Sequence, residues 1–261
     1  AARLAQGAAA TRTDVVVVLG GDGTLNEAAN GLVGTGTALA ALPGGSTNVF
    51  ARTLGLPDDP VEATAATLEA LAAESIRPVG LGSVNGRYFL FHCGVGYDAA
   101  VVEAVERRGS LKRYASHALF AYAALETWVR RYERTHPAFT LTFADGRQVT
   151  GGQFGIFLNT NPYTYLGSRP FDLVPELTLA DPLAVVTLEQ IRLRSLVPVL
   201  AAIAGPGAVR NRRHVDVRTN VRQVVVEADP PAPYQVDGDH LGASRRLRFT
   251  WTPEHLALVV P

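Results

Sequence analysis

Gly20-Gly21-Asp22-Gly23-Thr24 sets one carboxylate among three glycines directly after four valines and a leucine, Val15 to Leu19. Glycines at the end of a strand let the backbone turn sharply and bring its N–H groups against a ligand. Residues 25–32 read as helical, so the turn sits at a helix N-terminus, where anions are favoured. The chemistry is phosphate binding, with Asp22 able to face a divalent metal. The pattern then recurs: an apolar strand at residues 38–42 runs into Pro43-Gly44-Gly45-Ser46-Thr47-Asn48, whose hydroxyls and amide suit phosphate oxygens. One glycine-rich strand-to-helix turn is common without any ligand; two on one edge of a parallel sheet stand where α/β proteins bind ligands. A P-loop is excluded, because GxxxxGK[ST] is absent and Lys112 is the only lysine. The GxGxxG fingerprint of dinucleotide-binding folds does not appear at this turn either.

Three later stretches carry further candidates. Gly94-Val95-Gly96-Tyr97-Asp98 opens a helix, and on its residues alone Asp98 reads as an N-cap. Gln235-Val236-Asp237-Gly238-Asp239 is an Asp-Gly hairpin turn on spacing alone, or a pair of carboxylates aimed into a cleft. Pro175-Glu176-Leu177-Thr178-Leu179-Ala180-Asp181-Pro182-Leu183 carries an aspartate in a turn-like context. Basic clusters at residues 107–113 and 210–213 read as solvated loops, or as a patch for an anionic membrane surface. The six histidines show no metal-ligand spacing.

These groups need two kinds of scaffold. The valine-rich run after Asp14 reads as a strand apolar on both faces, as in the middle of a parallel sheet. Asp59-Pro60 starts a helix over residues 61–73, with proline at its first turn. From Ile76 the pattern changes to strands with hairpin signals at Asn85-Gly86 and Asp145-Gly146. Helical stretches at residues 99–107, 114–134 and 196–203 interrupt them. The division is an α/β domain over 1–77 and a β-rich domain over 78–261, with the last strands able to return to the first. At 261 residues, 47% hydrophobic and 18% charged, the chain has ample core, and its net charge of zero gives no electrostatic case for nucleic acid. A single cysteine, Cys93, excludes a disulfide framework. No apolar run approaches the ~18 residues of a spanning helix. Residues 1–10 read as a helix with no strand before it, as in an α/β domain truncated at its N-terminus.

The run GGDGTLNEAANGL (residues 20–32) followed by PGGSTNVFARTLGLP (residues 43–57) resembles the diacylglycerol kinase catalytic domain in its bacterial lipid kinase form. That family is related to sphingosine and ceramide kinases and, more distantly, to NAD kinases. The NxxAR run from Asn48 to Arg52 favours the lipid kinases. The resemblance implies an N-terminal three-layer Rossmann-like (NAD kinase-like) domain and a C-terminal antiparallel β-sandwich domain. It implies an enzyme at the cytoplasmic face of the plasma membrane that moves the γ-phosphate of ATP to a lipid hydroxyl, with diacylglycerol giving phosphatidic acid.

ATP contacts are implied at Gly20, Gly21, Asp22, Gly23, Thr24, Asn26 and Glu27, and at Gly45, Ser46, Thr47 and Asn48. Mg²⁺ is implied at Asp22 and Asp98, and a structural Mg²⁺ at Thr178, Asp181 and Leu183. Asp239 takes the place of the family's glutamate base, one methylene shorter, beside Asp237. Further departures are Val49 for an aspartate, Leu177 for an alanine and Pro182 for a glycine, and the family's earlier strand and NPxSG-like loop are not in this sequence. The residues around Asn161-Pro162-Tyr163 and Arg169-Pro170 replace a glycine-rich region. Partners on this reading are a lipid and a membrane surface contacted peripherally, without nucleic acid and with a homodimer left open. An NAD kinase-like enzyme and a non-catalytic nucleotide- or lipid-binding protein stay open beside it.

Overall fold

The computed structural model describes residues 1–106, 139–189 and 215–261, without the side chains of Asp98, Ala104, Val105, Glu106 and Leu166. The expected helices at 114–134 and 196–203 and the basic clusters at 107–113 and 210–213 lie outside the described residues, Glu106 being the last described before the first cluster. In chain order the elements are α1 (Ala2–Ala10), β1 (Val15–Gly20), α2 (Asp22–Leu32), β2 (Ala38–Pro43), α3 (Val49–Thr53), α4 (Pro60–Ala72), β3 (Ile76–Val84), β4 (Arg87–Phe89), β5 (His92–Gly96) and α5 (Tyr97–Glu106). There follow β6 (Phe139–Phe143), β7 (Gln148–Gly152), β8 (Phe154–Leu158), β9 (Thr164–Leu166), β10 (Arg169–Phe171), β11 (Leu183–Leu188), β12 (Val215–Val221), β13 (Gln223–Val236) and β14 (Asp239–Val259).

Local chemistry accounts for several boundaries. Asp59 accepts hydrogen bonds from the N–H groups of Val61 and Glu62, and Pro60 is the first residue of α4. Asn85 and Gly86 both have positive φ, 47° and 88°, the combination a two-residue hairpin between β3 and β4 requires. Asp237 and Gly238 repeat it between β13 and β14, at 47° and 84°.

The first part of the chain forms three layers. β1 and β2 run parallel, and Ala257 and Leu258 at the end of β14 pair in parallel with Ala38 and Leu39 of β2. One face of β2 sets Ala38 and Ala40 against Ala70 of α4. The other sets Leu39 and Ala41 among Leu25, Ala28 and Leu32 of α2 and Phe50 of α3. The small alanines let helices approach this strand from both sides.

β1 departs from the interior strand that its apolar run predicts. It ends the order β1-β2-β14 among the described strands, and Val17 and Leu19 are 53% and 62% exposed. A run apolar on both faces is the signature of a strand covered on both sides; among the described residues Val16 and Val18 pack against the first core and Val15 against the Ala38–Ala70 cluster, while Val17 and Leu19 stay exposed.

The second core lies inside a folded antiparallel sheet. β3, β14, β13 and β6 form one wall, and β5, β8, β11 and β12 the other. Phe157 of β8 stacks on Phe249 of β14 with ring centroids 3.6 Å apart, a contact made across the sandwich rather than along it. β3 and β14 pass through both parts: Val79 and Leu256 pair in the first core, Val84 and Phe249 in the second. The fold is thus α/β layers joined to an antiparallel sandwich, and two long strands carry the connection.

Candidate active site

The two glycine turns stand side by side at the C-terminal ends of β1 and β2. The parallel register puts Gly20 opposite Pro43, and the Gly44 N–H donates to the Gly20 carbonyl at 3.0 Å. A Cβ on Gly44 would lie 2.8 Å from the Gly20 nitrogen, and one on Gly45 would lie 2.7 Å from the Gly21 Cα. Backbone packs on backbone, so neither position has room for a side chain. Helix α2 begins at Asp22, three residues earlier than its apolar pattern predicts. Asp22, Gly23 and Thr24 are therefore its first turn; the Thr24 N–H donates back to the Gly21 carbonyl at 2.9 Å, and those of Asp22 and Gly23 precede the helix's own bonding.

Asp22 braces the two turns. Its Oδ2 accepts from the Val49 N–H at 3.1 Å and its Oδ1 from the Phe50 N–H at 3.0 Å, so it caps α3 from the neighbouring turn. Burial raises its pKa, the two backbone bonds oppose that, and the charge of Asp239 raises it further. Asn48 adopts a left-handed conformation, φ 50°, and its Oδ1 accepts from the Gly45 N–H at 2.7 Å. Its Nδ2 donates to Asp58 at 2.8 Å. The amide expected to meet phosphate oxygens thus shapes the turn instead. Gly44, Gly45 and Ser46 are exposed and Thr47 is half-buried.

The Asp-Gly-Asp hairpin separates its two carboxylates. Asp239 stands over the first turn of α2: a Cβ on Gly23 would fall 2.8 Å from its Oδ2. Asp237 turns inward and is 3% exposed. Its Oδ1 accepts from the N–H groups of Phe91 at 3.0 Å and His92 at 3.1 Å. Its Oδ2 accepts from the Leu90 N–H at 2.7 Å and from Asn26 Nδ2 at 2.6 Å. Burial pushes its pKa up to about 7 against these four bonds. Only one of the two carboxylates expected in the cleft therefore faces the glycine turns.

Other expected contacts also lie elsewhere. Asn26 is buried: Nδ2 donates to the Tyr88 carbonyl at 2.9 Å as well as to Asp237, and Oδ1 accepts from Arg87. Thr24 and Glu27 are exposed on α2. Asp98 is the second residue of α5, inside the helix rather than capping it, and its side chain lies outside the described atoms.

Two cation positions can be judged on chemistry. Asp22 and Asp239 bring like charges to one corner, but both oxygens of Asp22 already accept from the N–H groups of Val49 and Phe50, so a cation expected at Asp22 would have to share them. The other expected position closes on itself. Asp181 Oδ2 accepts from Thr178 N at 2.9 Å and Thr178 Oγ1 at 2.7 Å, and the Asp181 N–H donates to the Thr178 carbonyl at 3.1 Å. Leu183 is wholly buried in β11. A cation there would compete with the bonds that form the turn, and among the described residues no three Asp, Glu, His or Cys side chains gather.

Sequence reading missed the polar frame behind the site. Asn30 Oδ1 accepts from the Tyr88 N–H and its Nδ2 donates to the Tyr88 carbonyl, both at 3.0 Å. Asn26 and Asn30 lie one turn apart on a helix otherwise buried through Leu25, Ala28, Ala29 and Leu32. That i, i+4 spacing is the signal that could have found them. Arg52 lies 3.7 Å over the ring of Tyr165 and donates to the Gly167 carbonyl at 3.0 Å, tying α3 to the β9–β10 hairpin.

A parallel strand pair with stacked glycine turns is joined here to an antiparallel sandwich. The profile of the diacylglycerol kinase catalytic domain matches residues 1–84. A Pseudomonas aeruginosa protein named "Probable lipid kinase YegS-like" is 30% identical over 278 residues, spanning 100% of this chain and 81% of that protein. Diacylglycerol kinase of Bacillus subtilis is 28% identical over 265 residues, spanning 100% and 82%. A crystal structure of a diacylglycerol kinase from Bacillus anthracis superposes with a TM-score of 0.69 at 19% identity, covering 100% of this chain and 80% of that one. That likeness concerns the fold. The chain belongs to the diacylglycerol kinase catalytic domain family, among its bacterial lipid kinases. Among the described residues, no helix is long and apolar enough to cross a membrane.

Proposed function

We propose that this lipid kinase transfers the γ-phosphate of ATP to the hydroxyl of diacylglycerol, giving phosphatidic acid and ADP. The observation that carries the reading is the place of Asp239, whose carboxylate stands against Gly23 in the first of the two glycine turns. ATP's phosphates lie along Gly20–Thr24 and Gly44–Thr47, with backbone N–H groups and the start of α2 meeting their charge. The lipid oxygen attacks the γ-phosphorus, the bond to the bridging oxygen breaks, and the hydroxyl proton passes to Asp239. Mg²⁺, held at Asp22 with Asp98 as a second ligand, would neutralise phosphate charge. Such transfers rest mainly on positioning and charge stabilisation, which suits backbone turns and one base. The lipid enters by peripheral contact with the cytoplasmic face of a membrane.

Labelled ATP, Mg²⁺ and a panel of lipids presented in mixed micelles test this, with labelled product expected from diacylglycerol. No labelled lipid from any member would overturn the reading, and product from another lipid alone would overturn the substrate. Asp239→Asn is expected to lower turnover by about 10²–10⁴-fold, the usual contribution of a positioned base. Retention of most activity would overturn that assignment alone.

A further inference from the structure

We infer that Asn26 and Asp237 are positioning residues that together set where Asp239 stands on helix α2, an inference that rests on reading Asp239 as the base. Gly23 and Asn26 are three residues apart on α2 and so share a face. The β13–β14 hairpin meets that face twice. Asp239 lies against Gly23, and Asp237 accepts from Asn26 Nδ2 at 2.6 Å. Only Gly238 separates the two contacts in sequence, so the hairpin cannot slide along the helix while the Asn26 bond holds.

Both partners of that bond are fixed from behind. Asp237 is anchored by the N–H groups of Leu90, Phe91 and His92, and its own N–H donates to the His92 carbonyl at 2.9 Å. Asn26 is oriented by the Tyr88 carbonyl and by Arg87. Asn30 docks α2 to Tyr88 through two further bonds, and its Nδ2 also donates to Asn26 Oδ1 at 3.2 Å, so the Tyr88 N–H bond to Asn30 Oδ1 is the one that owes nothing to the Asn26 side chain. Losing the Asn26 side chain would therefore leave the helix docked and the hairpin anchored, but unlink their fine alignment. The glycine turn, at the start of α2, and Asp239, at the start of β14, would then be free to shift relative to each other.

The test is a double-mutant cycle read with ATP and dioleoylglycerol in mixed micelles, together with crystal structures of the full chain. Asn26→Ala is expected to lower kcat by about 10- to 100-fold, the range for a misplacement near 1 Å, with KM for ATP unchanged. In an Asp239→Asn background the same change should cost nothing further, because the group it positions is already gone. An equal loss in both backgrounds, no loss in either, or a change in KM alone would overturn the inference. Asp237→Asn enters the same cycle, so a variant that fails to fold leaves a second one to decide. In the crystal structure of N26A, the Asp239 carboxylate should have moved off Gly23; an unmoved carboxylate overturns the inference without reference to activity. A wild-type rate for Asp239→Asn would refute the base reading separately, while the crystal structure still decides whether Asn26 places Asp239.

Discussion

Gly23 and Asp239 leave no spare volume between them. A methyl group at position 23 would come within 2.8 Å of the Asp239 Oδ2, and the carboxylate, at the end of a side chain, is the part that can yield. Inside α2 an alanine is otherwise favoured over glycine by up to about 1 kcal/mol. Gly23→Ala is therefore expected to keep or slightly raise Tm while lowering turnover about tenfold or more, since small misplacements of reacting groups are costly. Tm and initial rate measured on the same preparation check this. A fall in Tm as large as the fall in rate would mean that Gly23 serves the fold and not the placement of Asp239. Asp237 shows the opposite division of labour: its carboxylate accepts from three consecutive backbone N–H groups, and that local anchoring holds the hairpin.

The paired turns behave as one element. Gly44 and Gly45 lie against the backbone of Gly20 and Gly21, and backbone cannot rotate away as a side chain can. Gly45→Ala would place its Cβ 2.7 Å from the Gly21 Cα, so the turns must separate. The expected destabilisation is about 1–3 kcal/mol, the usual range for overpacking. Because the two turns together form the proposed phosphate cradle, the thermal stabilisation of the wild type by ATP should also be lost. Calorimetric scans with and without ATP measure both effects; an unchanged ATP-induced shift would show that the turns bind phosphate independently of their contact. Helix α3 belongs to the same assembly, capped by Asp22 at one end and tied through Arg52 to the β9–β10 hairpin at the other.

Across the whole molecule, two neighbouring buried groups make stability respond to pH in opposite senses. Burial raises Asp237 from 3.8 to about 7, so the folded state holds a proton that the unfolded chain has released. Its contribution is fully present below about pH 4 and is lost as pH rises through about 7. Burial lowers His92 from 6.5 to about 3. It lies between Phe91 and Tyr163, and its Nδ1 has no partner among the described residues. That contribution is present above about pH 6.5 and is lost as pH falls toward about 3. In the overlap the slopes oppose each other, each up to about 1.4 kcal/mol per pH unit. Relative to wild type, His92→Phe should grow less stable as pH rises from about 4 to about 6.5, and Asp237→Asn more stable. Urea denaturation across that interval measures both; parallel profiles for the two variants would refute the opposition.

What could be read from residue order is what short stretches decide for themselves. Two glycine turns after two strands, the Asp59-Pro60 helix start and the Asn85-Gly86 and Asp237-Gly238 hairpins follow from φ preferences and caps within a few residues. The family resemblance rests on the same local patterns. Tertiary structure alone decided which carboxylate of Asp237-Gly238-Asp239 meets the glycine turn. That choice depends on β13 pairing with β5, Val236 opposite Cys93, which brings the N–H groups of residues 90–92 to Asp237 and leaves Asp239 to α2. It also turned Asn26 inward and set β1 at the end of the described sheet order, with Val17 and Leu19 uncovered. A strand's apolar run records what its side chains prefer. Which elements arrive to cover them is decided by contacts between residues more than two hundred positions apart, such as Asn26 and Asp237.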